Sequence, residues 1–146
     1  MDYSVLTKVM EELVPFNRFL GMRCEEVRTG FVRITIPFRE ELVGDPMRPA
    51  LHGGVLSALA DTAGGMAVWT GVTDARGRVS TIDLRVDYLR PARLFTLSCE
   101  ATVVRQGNRV GVADMRLFHP DEVEKTVATG KGVYNVTLVK HEPTPA

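Results

Sequence analysis

Charge of one sign and cysteine are both in short supply in this chain. Lys plus Arg equals Asp plus Glu at 18 each, so no global field draws it to nucleic acid or to an anionic membrane, although local basic clusters can still hold a phosphate. Two cysteines, Cys24 and Cys99, make no disulfide framework. Both fall in strand-like runs, which points to buried free thiols. Met1-Asp2-Tyr3-Ser4 carries no basic stretch followed by an apolar one. No signal peptide is therefore expected, and a reducing cytoplasm is the expected location. His52, His119 and His141 are widely separated and neither cysteine has a near neighbour at ligand spacing, which leaves no metal set. A Gly-rich phosphate loop, a Ser nucleophile elbow and a basic–aromatic pattern are likewise missing.

What is present fits one globular domain spanning 1–146, because 146 residues with 45% hydrophobic content can bury a core but cannot be shared between two. The stretch from Gly53 to Thr73 holds a single charged residue, Asp61, and its length raises the question of a membrane span. Its glycines, hydroxyls and central carboxylate would be costly in lipid, and strands follow at once, so a buried helix of a soluble domain is the better account.

Val5, Val9, Met10, Leu13 and Val14 recur at helical spacing, with Ser4 as N-cap and Pro15 as stop, which predicts a helix over about 4–14. Met22 to Arg28 and Phe31 to Phe38 flank Thr29-Gly30 and read as a hairpin. Arg39 to Leu51 shows no period and reads as a loop of the long, functional kind. In the helix that follows, Val55, Leu59, Ala63, Met66 and Ala67 form one stripe, and Leu56, Ala60 and Val68 fill much of the remaining surface, the pattern of a buried helix. From Val79 the period changes to two: Ile82, Leu84, Val86 and Tyr88 alternate with Thr81, Asp83, Arg85 and Asp87 until Pro91. Phe95 to Val104 and Arg109 to Phe118, joined through Gln106-Gly107-Asn108, and then Thr126 to Val139 complete a meander, with a flexible tail expected over about 141–146. The sum is α+β, an antiparallel sheet around one helix, with an open sheet edge that pairing between copies would close.

The run Leu51-His52-Gly53-Gly54 through Asp61 places a His and two glycines at the start of that helix and a carboxylate about two turns inside it. A helix start presents unpaired N–H groups, and glycines let a substrate approach them, so a thioester carbonyl could be polarised there. A carboxylate in apolar surroundings is a stronger base towards water than an exposed one. Each piece also has a plainer reading: a tight loop-to-helix junction for Gly53-Gly54, a helix-start residue for His52, and a structural ion pair with an Arg for Asp61.

Taken together, His52-Gly53-Gly54, Asp61, Ala63-Gly64 and the strand Thr81-Ile82-Asp83-Leu84-Arg85-Val86-Asp87-Tyr88-Leu89-Arg90-Pro91-Ala92 strongly resemble the PaaI-like acyl-CoA thioesterase family, and the order of elements matches over about the whole domain. The resemblance implies a hotdog fold, a long central helix wrapped by a six-stranded antiparallel sheet, paired as a homodimer or homotetramer with active sites at the subunit interface. It implies that Asp61 acts as general base or nucleophile and that the Gly53 N–H binds the thioester oxygen. His52 would orient the loop and substrate, with Gly54 beside it, and Thr81 would place a hydroxyl near the reacting centre. Coenzyme A would be part of the substrate, so no cofactor is expected, nor any nucleic-acid or membrane partner.

One position departs from the family pattern. Members commonly carry an Asn shortly before His-Gly-Gly, and the nearest residue here is Asp45, which cannot donate a hydrogen bond unless protonated; Arg48 is the neighbouring donor able to offset this. Arg90, Arg105 and Arg109, near strand ends and the Gly107 turn, are candidates for the coenzyme phosphates, and Met115, Trp69 and Phe31 for an acyl tunnel. Against hydrolysis stand a non-catalytic acyl-CoA binding or sensing module, a hydratase built on His52 and Asp61, and, more remotely, a DNA-binding regulator.

Overall fold

The helix α3, Gly53–Trp69, sets the plan of the molecule, because almost every side of it has to be covered. The computed structural model describes residues 2–74 and 76–138; the expected tail over about 141–146, His141 and the end of the last strand at Val139 lie outside the described residues. Val55, Leu56, Leu59, Ala60, Ala63, Met66, Ala67 and Val68 of α3 are all buried. The helix is about 25 Å long and no helix of the described residues is long and apolar enough to cross a membrane. It ends at Trp69, not at Thr73, because the Thr70 hydroxyl turns back to donate to the Ala67 carbonyl at 2.6 Å and accepts the Gly30 N–H at 2.7 Å.

A six-stranded antiparallel sheet supplies the cover. Its strands are β1 (Arg23–Arg28), β2 (Phe31–Ile36), β5 (Arg78–Tyr88), β6 (Leu97–Gln106), β7 (Val110–Phe118) and β8 (Thr126–Thr137), in the order β1-β2-β6-β7-β8-β5. Alternation puts Val32, Ile34 and Ile36, Leu97, Cys99 and Ala101, and Ala113, Met115 and Leu117 against the helix, all buried. On the opposite face Arg33 reaches the Glu100 carboxylate at 2.7 Å and Arg116 reaches it at 3.1 Å, joining β2, β6 and β7. Burial pushes the Glu100 carboxyl up, but the two guanidiniums outweigh it and hold it below the usual carboxylate range. Both cysteines are free, but only Cys99 is buried as expected; Cys24, on the edge strand β1, is half-buried. Burial raises the Cys24 thiol to about 11 and pushes Cys99 higher still.

Three expectations need correction. The first helix is not continuous from Ser4: α1 (Ser4–Lys8) passes into a π turn, Val9–Leu13, and Pro15 both stops it and starts α2 (Pro15–Leu20). Ser4 is not its cap; the Ser4 N–H donates to the Asp2 carboxylate at 2.8 Å. Secondly, Arg39 to Leu51 is not a formless loop. It folds as a 3-10 turn, Glu40–Leu42, and a short hairpin of β3 (Val43–Asp45) with β4 (Ala50–Leu51). Thirdly, the alternation in β5 does not mark a buried face throughout. Leu84 and Val86 are half-buried, but Ile82 is 58% and Tyr88 53% exposed, since β5 is an edge strand with a bulge between Thr81 and Asp83.

Close approach of helix and sheet depends on one lock. Tyr134, on β8, is buried, and a Cβ on either Gly64 of α3 or Gly132 of β8 would collide with its hydroxyl. Gly64→Ala or Gly132→Ala should therefore destabilise the fold by roughly 1–3 kcal/mol, the usual cost of overpacking. Urea denaturation measures it, and adding Tyr134→Phe should return part of the loss; unchanged midpoints in the alanine variants would contradict the lock.

Candidate active site

Two clusters form, one at each end of a segment of α3. The first is built on Asp61. The Thr81 hydroxyl, on the edge strand, donates to the Asp61 carboxylate at 2.8 Å. The Tyr134 hydroxyl donates to the Asp61 backbone carbonyl at 3.2 Å. Burial, then the charge of Asp61, pushes the Tyr134 phenol well above its ordinary range, so it remains a donor. Asp61 is half-buried, which corrects the expectation of a carboxylate enclosed by apolar side chains, and among the described residues its partner is the Thr81 hydroxyl and not an arginine. A cavity of about 170 Å³ opens beside it, walled by Met10, Thr62, Met66, Trp69 and Val79. Asn17 fixes the Met10 wall: its buried amide donates to the Met10 carbonyl at 3.1 Å and accepts the Thr62 hydroxyl at 3.5 Å.

The second cluster surrounds the start of α3. His52 has extended backbone and caps the helix, its Nδ1 accepting the Gly54 N–H at 2.8 Å. That bond leaves the proton of a neutral ring on Nε2. Gly53 is the first helical residue, where an N–H has no intrahelical acceptor; among the described residues none other is found for it. The Tyr88 hydroxyl donates to the Gly53 carbonyl at 3.1 Å and accepts the Ser57 hydroxyl, whose oxygen lies 3.3 Å from the same carbonyl. The Tyr88 ring lies against Gly53, where a Cβ would sit 3.3 Å from it. The hairpin before the helix holds this junction: the His52 N–H donates to the Leu42 carbonyl at 2.8 Å, and Gly44 passes so close that a Cβ there would strike the His52 backbone.

The remaining candidates divide. Arg90 joins Gly53, Leu56 and Tyr88 around a groove of about 420 Å³. Arg105, Gly107 and Arg109 lie at the β6–β7 turn, where Gln106 packs on Gly71 beyond the other end of α3, so one chain does not gather the three arginines. Asp45 is engaged in its own turn: its carboxylate accepts the Met47 and Arg48 N–H groups at 2.9 and 3.1 Å and pairs with the Arg48 side chain at 3.6 Å. Arg48 therefore pairs with Asp45, not with a site beyond it. Of the tunnel candidates Trp69 lines the cavity, whereas Met115 packs in the core against Gly64 and Phe31 lies under the Arg28 guanidinium at 3.9 Å. Ser57, Tyr134 and the clamp made by Tyr88 escaped sequence reasoning; an aromatic in a strand carries no mark of what its hydroxyl will meet.

The chain is similar to known proteins in sequence and fold. The model of the Thioesterase superfamily matches residues 49–126. The medium/long-chain acyl-CoA thioesterase YigI of Escherichia coli is 35% identical, covering 80% of this chain and 83% of that one. A Halobacterium salinarum protein whose name carries the word esterase is 41% identical over 81% of this chain and 82% of its own. Among solved structures, a Shewanella oneidensis protein related to the thioesterase superfamily is 31% identical with a TM-score of 0.82, covering 91% of this chain and 94% of that one.

The hairpin contact yields a test of the helix start. Gly44→Ala should push β3 off His52 and expose the Gly54 amide, whose exchange should quicken about fivefold or more for a lost hydrogen bond of roughly 1 kcal/mol. Amide hydrogen exchange reads it, and unaltered protection at Gly54 would count against the contact.

Proposed function

The chain belongs to the thioesterase superfamily and has its hotdog fold, and from that premise we propose that it hydrolyses acyl-CoA thioesters at a site shared between two copies of the chain. Water attacks the thioester carbonyl carbon while Asp61 takes its proton, with Thr81 holding the carboxylate. The carbonyl oxygen gathers negative charge and is stabilised by the free Gly53 N–H at the positive end of α3. The C–S bond then breaks and Asp61 returns its proton to the departing sulfur, releasing the acid and the coenzyme thiol. His52 serves by fixing the Gly53-Gly54 turn.

Length along the helix carries the case for a shared site. Gly53 and Asp61 are separated by about 12 Å along α3 at the standard rise, too far to act on one carbonyl group. Their contacts lie at opposite ends of the unpaired edge strand: Asp61 meets Thr81 and Gly53 meets Tyr88. Antiparallel pairing of two β5 strands about a two-fold axis at Arg85 would set Leu84 opposite Val86 of the partner subunit and, through the bulge between Thr81 and Asp83, Thr81 opposite Tyr88 of the partner subunit. It would carry the Asp61 carboxylate of one copy to the Gly53 N–H of the other and cover the exposed Ile82 and Tyr88. The same pairing would bring Arg105 and Arg109 of one copy towards Arg90 of the partner subunit, as cations for the coenzyme phosphates.

A second reading, an acyl-CoA binder without turnover, draws on Asp45, which leaves no side-chain amide donor where the family usually has one. Release of free thiol from a panel of acyl-CoAs separates the two, since a binder saturates without releasing any.

The shared site is tested by complementation. Asp61→Ala removes the base. Gly53→Pro removes the N–H at a position where proline suits the first turn and His52 is already extended. Each variant alone should lose turnover by about 10²-fold or more, the scale for losing one oxyanion donor or general base. Mixed subunits, re-associated, should regain activity. A mixture as inactive as its components would show that the two residues do not meet across an interface.

A further inference from the structure

The cavity beside Asp61 does not end in the bulk of the core. Asp61, Thr62, Gly65, Met66 and Trp69 line it in sequence, so it follows α3 towards the C-terminal end for about 12 Å, and Trp69 stands farthest from the carboxylate. Trp69 also lines a second cavity, of about 410 Å³, together with Val5, Leu6, Val9 and Val72 under the N-terminal helix. Trp69 thus lines both cavities. Neither is lined by an arginine or a lysine, and Asp2 and Asp74 stand at the second, so neither suits the coenzyme phosphates; among the hydroxyls of Thr62, Thr70 and Thr73, the apolar side chains of Met10, Met66, Trp69, Val5, Leu6, Val9 and Val72 offer a path for hydrocarbon.

We propose that Trp69 is the stop that sets the length of the acyl group. This rests on the hydrolytic reading and adds the substrate class to it. An apolar cavity of about 150 Å³ holds a benzene ring, so the space of about 170 Å³ between Asp61 and Trp69 takes a phenyl group or a short aliphatic tail. Met10, fixed by the Asn17 amide, closes the flank. With the indole removed the two cavities join, and a long chain continues past the end of α3 beneath the N-terminal helix.

The test is a profile of kcat/KM over phenylacetyl-, hexanoyl-, dodecanoyl- and palmitoyl-CoA for the wild type, Trp69→Ala and Trp69→Leu. The wild type should favour the first two. Both variants should raise the palmitoyl-to-hexanoyl ratio about tenfold or more, a span that a few methylenes in an apolar pocket readily supply. Thermal melting identifies any variant that fails to fold, and Trp69→Leu keeps an apolar side chain at that position should the alanine form do so. Val9→Trp, refilling the second cavity, should cancel the gain when added to Trp69→Leu. A ratio unchanged in the folded variants, or a gain that survives Val9→Trp, overturns the assignment. Absence of turnover by the wild type on every thioester would instead remove the hydrolytic reading. The length dependence is then read from calorimetric binding of the same compounds, where an unshifted profile counts equally against Trp69.

Discussion

The burial of one uncharged helix governs the rest of this protein. A helix that is apolar nearly all round cannot lie on a surface, and its backbone must come close enough to a sheet for side chains to fill the space between. Small residues permit that approach: Ala60, Ala63 and Gly64 on the helix face Ala101, Ala113 and Gly132 on the strands. The hydroxyl of Tyr134 takes the room the two glycines leave and ties the helix to β8 through the Asp61 carbonyl. The carboxylate thus projects from a segment whose backbone is held on the sheet side, and Thr81 meets it from the edge strand.

The same geometry leaves one margin of the sheet open. The sheet covers α3 on one side, but β5 keeps an open edge with Ile82 and Tyr88 exposed, and the helix start and Asp61 both face that margin. The Asp61 carboxylate and the Gly53 N–H are each fixed by their neighbours, yet the rigid rod that carries both also holds them apart. In a helix-based site of this kind, preorganisation of each half and separation of the halves have one cause.

Much of this was legible in the residues. Period two through Leu84 and Val86 and the apolar circumference of residues 53–69 identified the sheet and the helix, because both patterns follow from which faces meet the core. His52, Gly53 and Asp61 stood out since polar or flexible residues in those surroundings need a reason, whereas Thr81 was marked only by the family resemblance, and the structure joins Asp61 to Thr81 and His52 to the helix start. Features set by side-chain reach were hidden. Nothing in Val9 to Leu13 marks a π turn, nor that the Asn17 amide of the next helix donates to its Met10 carbonyl. Asp45 read as a substitute for a missing amide, although Asp-Pro is also turn chemistry, and the turn is where its carboxylate is used. The exposure of Ile82 and Tyr88 was concealed because alternation reports an apolar face without saying which molecule covers it.

The lock between Gly64, Gly132 and Tyr134 also constrains how this sequence can drift. A side chain gained at either glycine meets the phenol, while loss of the phenol leaves a hollow and removes the bond from β8 to the helix, so the effect of each replacement depends on the other two. Such a trio is epistatic: viable routes through it run by compensated pairs, and variants assembled one position at a time would pass through less stable intermediates. The three positions therefore act as a single inherited unit, although they lie on two different elements.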